Sequence, residues 1–329
     1  MENSSVYFTQ LTRGYESITV PVPWGHIAGK WWGPRDVQPV IAMHGWHENA
    51  NTWDPLMNLM PADLAFLAVD MPGNGLSSHF PSSTWYHTIE DVSALRALIK
   101  HFQWTDPVSF LCHSYSTGHA YIYAAFYPNE VARVIAVDFI TSVGVTMETF
   151  LPGKHKLPTG GERLDRVIDI VDGVIGHPPE LTLEQHAKFY CRVTKGSLSL
   201  EAAKHVLQRS MVRSDRDPSL YRSTRDPRGA VRFWISFTNE FILELGKQIK
   251  CEYYVISSTP PPTFAERLEV HTRGEQILRA SAKRFELVRV EGTHHVHLDH
   301  PERILPLILR WIRGDDGPGQ GRSLARGKL

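Results

Sequence analysis

Short apolar runs recur along the chain, separated by stretches in which apolar residues return every three or four positions. Val40–Met43, Leu64–Val69, Val108–Leu111, Val134–Val137, Tyr253–Ile256 and Phe285–Val290 are each short, apolar or β-branched, and followed by turn-prone residues. That pattern predicts strands buried on both faces of a parallel sheet. Between the second and third runs, Val92, Leu95, Leu98, Ile99 and Phe102 share one face of a helix, and Thr88-Ile89-Glu90-Asp91 reads as a capping box at its start. Strands alternating with helices predict an α/β fold with a mostly parallel, doubly wound sheet. Ahead of it, Ser17–Val22 and His26–Trp32 predict an antiparallel hairpin at the sheet edge, turning near Pro23-Trp24-Gly25.

The rhythm breaks once. Roughly a hundred residues, from Thr141 to Gly246, separate two consecutive strands, far more than a crossover needs. Helical patterns at Leu183–Val193 and Leu200–Arg209 make this insertion a predicted helical cap over the C-terminal edge of the sheet. The expected organisation is a core from 1–140 and 247–313, a cap from 141–246, and a disordered tail from 314–329. The last helix is expected over Pro301–Ile312, with a kink or a late start at Pro306.

Composition narrows the class. The 329 residues are 42% apolar and 21% charged, enough for a large globular core. Lys and Arg together number 35, as do Asp and Glu, so no net charge points to nucleic acid or an anionic membrane. Cys112, Cys191 and Cys251 are three cysteines at irregular spacing, which argues against a disulfide framework. A polar N-terminus and the lack of a long apolar run predict no secretory signal and no membrane span, hence a cytoplasmic protein. The terminal Gly-Lys-Leu is an imperfect copy of the peroxisomal Ser-Lys-Leu address and leaves that destination open beside a plain basic tail. From Glu180 to Arg232 basic residues outnumber acidic ones, which suits either a solvated face or an anionic acyl carrier such as a CoA thioester.

The candidate chemistry lies at strand ends. Ser114 follows the third central strand and precedes a helix through Tyr121–Ala125, where a sharp turn projects the hydroxyl above the sheet. The glycines usual two residues before and after such a serine are replaced by Cys112 and Ser116, both small. The backbone N–H of Tyr115, at the helix N-terminus, and that of Trp46, in His44-Gly45-Trp46-His47, are the expected oxyanion donors. Asp70 precedes the serine in the chain and is given a structural role in its glycine-containing loop. His294 follows the last strand and is the candidate base. With His295 and His297 it also reads as a metal cluster, but no carboxylate or cysteine of ligand-like spacing accompanies the three. His297 is expected to pack or hydrogen-bond, and His295 to be exposed.

His-Gly-Trp-x-x-Asn at 44–49, Asp-x-Pro-Gly-x-Gly-x-Ser-Ser-His at 70–79, His-Ser-Tyr at 113–115 and Gly-Thr-His-His-Val-His at 292–297 resemble the α/β-hydrolases. More narrowly, the chain is similar to the group called serine hydrolase-like proteins, from Trp24 to Trp311. The resemblance implies a hydrolase without metal or organic cofactor. In many such enzymes the triad acid follows the strand that here reads Glu252–Ile256. Here Ser257-Ser258-Thr259 and three prolines follow, with no carboxylate before Glu266; it and Glu269 are the alternative acids, expected to face solvent and be dispensable. Some relatives, such as one subgroup of haloalkane dehalogenases, carry the acid after the strand that follows the nucleophile's helix. Asp138 stands at that place and keeps the order Ser, acid, His; the plainer alternative is that it caps its loop.

The resulting expectation is a Ser114–Asp138–His294 serine hydrolase acting on a carboxylic ester or thioester of a small acyl substrate. The rival is a non-catalytic ligand-binding protein on the same fold, with a degenerate elbow.

Overall fold

A computed structural model describes residues 13–142, 160–175, 178–231, 237–259 and 268–314. An eight-stranded sheet runs in the order β1 (Glu16–Val22), β2 (Gly25–Trp32), β4 (Phe66–Val69), β3 (Val40–Met43), β5 (Val108–His113), β6 (Val131–Val137), β9 (Glu252–Thr259), β10 (Arg284–Glu291). β1 pairs antiparallel with β2, and β2 with β4; every other pairing is parallel. The expected edge hairpin and all six expected runs are therefore strands. β5 and β6 extend beyond their apolar runs because the ladder continues wherever a neighbour offers partners.

Alternation along each strand sends residues to opposite layers. Ile41, Met43, Leu67, Val69, Phe110, Cys112, Val134 and Ala136 face one core, and Val40, Ala42, Phe66, Ala68, Leu111, Ile135 and Val137 the other. The first layer is closed by α2 (Thr88–Phe102), α3 (Tyr115–Phe126), α7 (Asn239–Gly246) and α8 (Leu268–Ser281). The second is closed by α1 (Asp54–Leu59) and α10 (Leu305–Arg313). Each large apolar side chain fully withdrawn here stabilises the fold by about 1.5–3 kcal/mol.

One expected helix start is corrected, and the late start expected around Pro306 is observed. The capping box at Thr88 is not formed: His87 is the N-cap, extended and without a side-chain cap bond, because Thr88 is already helical. Pro301 opens a separate 3-10 turn, Pro301–Arg303, and α10 begins late, at Leu305, with Pro306 in its first turn. That position leaves no hydrogen bond for the ring to break.

Between β6 and β9 lie α4 (Gly160–Val171), α5 (Leu183–Val193), α6 (Leu200–Gln208) and a small antiparallel pair, β7 (Met211–Arg213) with β8 (Tyr221–Ser223). The short hairpin was not anticipated. α5 and α6 pack through Ala187, Tyr190, Ala202, Ala203 and Val206 against Leu298 of the short helix α9 (Val296–Asp299). Polar bonds fix the end of α6 to the core: Asn49 Nδ2 donates to Val206 O (2.8 Å), and Arg209 Nε reaches Asp70 Oδ2 (2.9 Å). No helix among the described residues is long and apolar enough to cross a membrane. The expected tail beyond Gly314 and the alternative acid Glu266 lie outside the described residues.

Candidate active site

The C-terminal ends of β3, β4, β5, β6 and β10 open onto one edge, and each carries a loop flagged by the sequence. At the end of β5 the chain turns through Ser114, whose φ of 49° and ψ of −114° are costly for a residue with a Cβ, on the order of 1–3 kcal/mol. The turn is held on both sides. Ser114 N–H donates to Val137 O (2.9 Å), and the buried Ser116 hydroxyl accepts from His113 N (3.1 Å) while donating to Met43 O (2.8 Å). Ser116 thus ties the elbow to β3, and its small volume lets α3 start there. Cys112 is fully buried and its thiol is pushed far above its ordinary pKa by that burial, so it stays protonated behind the turn.

His294 reaches back from the loop after β10. Its Nε2 lies 2.8 Å from Ser114 Oγ, and its Nδ1 lies 2.6 Å from Asp138 Oδ2. The structure therefore brings together the three residues singled out in the sequence. Asp138 sits at the end of β6 with a φ of 57°. Its other oxygen, Oδ1, accepts from Ser258 N–H and Ser258 Oγ, both at 2.7 Å. Burial pushes this carboxyl up, yet the hydrogen bond and charge of His294 and the Ser258 donors outweigh it and hold it below its usual value. Ser258 was not anticipated. It occupies the strand end where the commoner acid would stand, and supplies donors to the displaced one. Glu269 is far from this role: it is exposed and pairs with Arg273 at 3.6 Å.

Tyr115 begins α3, so its N–H belongs to the first turn, which no i−4 carbonyl serves. Trp46 lies in a tight turn in which Glu48 N–H donates to Gly45 O (3.2 Å). Both residues line a cavity of about 850 Å³ together with Ser114 and His294. Phe139, Leu181, Phe189, Val193 and Met211 give its wall an apolar character. Asp70 has the structural role expected of it: its carboxylate accepts from Ala50 N (2.7 Å) and Leu76 N (2.9 Å).

Behind His294 the picture differs from expectation. His295 is buried, not exposed: Nδ1 bonds Ser197 Oγ (2.8 Å) and Nε2 lies 3.3 Å from Glu48 Oε1. Glu48 also lies 2.8 Å from His113 Nδ1 and accepts from Gly45 N–H (3.0 Å). Burial pushes Glu48 up, but its histidine neighbours outweigh that and hold it well below the carboxylate range. Glu48, His113 and His297 offer ligand atoms within 4.8 Å of one another, so a carboxylate does accompany the histidines, from a loop far away in sequence. Hydrogen bonds already engage much of this set: His113 Nε2 with His294 O (2.8 Å), and His297 Nε2 with Thr52 Oγ1 (2.7 Å). An acid three residues after the His44-Gly45 pair was the one available signal. A Cβ on Gly45 would meet Glu48 Oε1 and His113 Nδ1 at 2.6 Å, so only glycine lets this cluster close.

Residues 38–301 match the family model described as the alpha/beta hydrolase fold. The chain belongs to the α/β-hydrolase family. Among curated proteins it is 32% identical to a probable serine hydrolase of Drosophila melanogaster, over 91% of this chain and 88% of that one. It is 28% identical to a serine hydrolase-like protein of Danio rerio, over 96% and 93%. Among solved structures it resembles the thioesterase domain from the curacin biosynthetic pathway, with a TM-score of 0.70, 19% identity and coverage of 90% and 99%. An esterase from Mycobacterium tuberculosis gives a TM-score of 0.61 at 18% identity, covering 95% of each chain. The likeness to solved structures bears on the fold; the curated relatives place this α/β-hydrolase in the serine hydrolase-like group and support a hydrolase.

Proposed function

We propose that the protein is a serine hydrolase that cleaves a carboxylic ester or thioester of a small acyl substrate. The observation that carries this reading is the unbroken hydrogen-bond chain from Asp138 through His294 to Ser114, ending in a largely apolar cavity. Ser114 Oγ attacks the carbonyl carbon and His294 Nε2 takes its proton. Asp138 keeps the other imidazole proton on Nδ1 and stabilises the imidazolium. The N–H groups of Trp46 and Tyr115 receive the oxyanion, each asked for about 2.7–4 kcal/mol of transition-state stabilisation. The leaving alcohol or thiol departs with the proton from His294. Water then attacks the acyl-serine, gives its proton to His294, and the acid leaves as Ser114 recovers its hydrogen.

In this reading the insertion 141–246 is a cap on a core formed by 1–140 and 247–313, save for its last helix, α7, which packs on the core layer, and the cap's apolar side chains set the length of the acyl group. The cavity's size falls within the range of small-molecule sites, which favours a compact ester over a folded polypeptide. The experiment is steady-state hydrolysis of p-nitrophenyl esters and acyl thioesters of graded chain length. Turnover that Ser114→Ala removes is the expected result. Turnover that Ser114→Ala retains removes Ser114 from the mechanism, and a wild-type protein inert to the whole series favours the ligand-binding rival.

A further inference from the structure

Three cations buried from water among the described residues come with a counter-charge, which offsets the cost of desolvation. Lys30 holds Asp54 (2.7 Å), Arg209 holds Asp70 (2.9 Å) and Arg228 holds Asp226 (2.7 Å). Arg225, on the segment after β8, differs from these three. It is partly buried and lines the cavity that contains Ser114 and His294. Its Nη1 donates to His47 O (3.0 Å) and its backbone N–H to Ser223 Oγ (3.2 Å). Among the described residues no carboxylate lies within ion-pair distance of it, and Nε and Nη2 have no acceptor.

Two neighbours fail as counter-ions. The Tyr190 phenol is driven upward in pKa by burial and stays neutral. Glu48 also lines the cavity, but its carboxylate is already engaged by His113 Nδ1 (2.8 Å), His295 Nε2 (3.3 Å) and Gly45 N–H (3.0 Å). Burial lowers the Arg225 pKa, yet a guanidinium remains charged at any physiological pH. One donor is used on a carbonyl, and the rest of a planar fork made for bidentate oxyanions is left over inside an apolar chamber.

We infer that Arg225 binds an anionic carboxylate or phosphate group carried by the substrate that is hydrolysed at Ser114. This rests on the hydrolase reading and narrows it to an ester or thioester with a second, charged end. Phe139 and Phe189 line the same chamber and suit the aliphatic part. The anion belongs either to the far end of the acyl chain or to the leaving group, and matched substrates separate the two.

The test compares kcat/KM for monophenyl glutarate against phenyl butyrate, and for butyryl-CoA against S-butyryl-N-acetylcysteamine. The wild type is expected to prefer the charged member of one pair, and Arg225→Gln to reduce that ratio by about tenfold or more, with Arg225→Lys retaining part of it. The pair that responds locates the anion. Equal rates within both pairs overturn the inference while leaving the hydrolase reading intact. So does a parallel fall of both members in Arg225→Gln, the mark of a guanidinium that only holds the His47 carbonyl. If Arg225→Gln does not fold, competition on the wild type decides. Glutarate or inorganic phosphate should raise KM for the neutral ester with kcat unchanged, and no competition by either contradicts the inference. Should the wild type hydrolyse nothing, calorimetric titration of Ser114→Ala with glutarate and phosphate reads the anion site alone. Saturable binding then keeps the site and fails the hydrolase reading; no binding fails both.

Discussion

The loop after β10 places chemically identical side chains in two opposed environments. His294 faces outward, between Ser114 Oγ at 2.8 Å and Asp138 Oδ2 at 2.6 Å, at the wall of an apolar cavity. His295 and His297, one and three residues on, turn to Glu48, Thr52 and Ser197 instead of to Ser114, although His295, Glu48 and Ser197 also reach the cavity wall. The two sides meet at one peptide: His113, paired with Glu48, reaches the backbone carbonyl of His294 with its Nε2 (2.8 Å). Three histidines in four residues thus divide between two settings. One has the surroundings of a proton carrier, and the others belong to a buried polar frame that fixes where its backbone lies.

Substitutions on the outward side should have the largest effects. Ser114→Ala and His294→Ala should each lower kcat by on the order of 10⁴–10⁶-fold, and the double variant should be scarcely worse, since such groups act as a unit. Additive losses would place the two residues in separate steps. Asp138→Asn keeps the shape but favours the wrong imidazole tautomer, so turnover should fall by up to about 10⁴-fold. Unchanged circular dichroism would show that the loss is chemical.

On the inward side the same measurements should report stability first. Glu48→Gln removes the charge beside His113 and His295 while leaving an oxygen for Gly45 N–H. Denaturant unfolding should show a loss of about 1–3 kcal/mol. A smaller and separable effect concerns acid. His297 is held well below the usual histidine pKa by burial first and by its histidine neighbours second. Its folded pKa is depressed, so the unfolded chain binds a proton that the native state refuses. Stability is complete above about pH 6.5 and falls below it by up to about 1.4 kcal/mol per pH unit for this group. His297→Gln should flatten that slope between pH 6.5 and 5 in urea titrations and disturb turnover far less than His294→Ala. His44, also depressed by burial, should leave a residual slope in the variant.

Much of this architecture was legible because burial writes a period into a sequence. Runs such as Val40–Met43 are apolar at every position since both faces of β3 are covered. The three-residue strands β7 and β8 are too short to carry a period, and their pairing is set by tertiary contact. Ser114, His294 and Asp138 could be found because topology sends every parallel strand to the same edge, so position after a strand end stands in for proximity. Glu48 could not be paired with His295 in that way, because the two stand far apart in the chain and neither immediately follows a strand end. The expected exposure of His295 fails for the same reason: its cover comes from Ser197 at the start of the α6 region. Arg225 was visible only as one of many basic residues in the insertion. What distinguishes it is that no carboxylate among the described residues lies within ion-pair distance of it, which no one-dimensional reading contains.

The central claim, that His294 and Asp138 activate Ser114, is tested most directly by intact-protein mass spectrometry after reaction with a fluorophosphonate. The account predicts a single adduct on the wild type, mapped to Ser114, absent from Ser114→Ala and strongly slowed in His294→Ala. A wild-type protein that remains unlabelled, or an adduct that persists in Ser114→Ala, would contradict it.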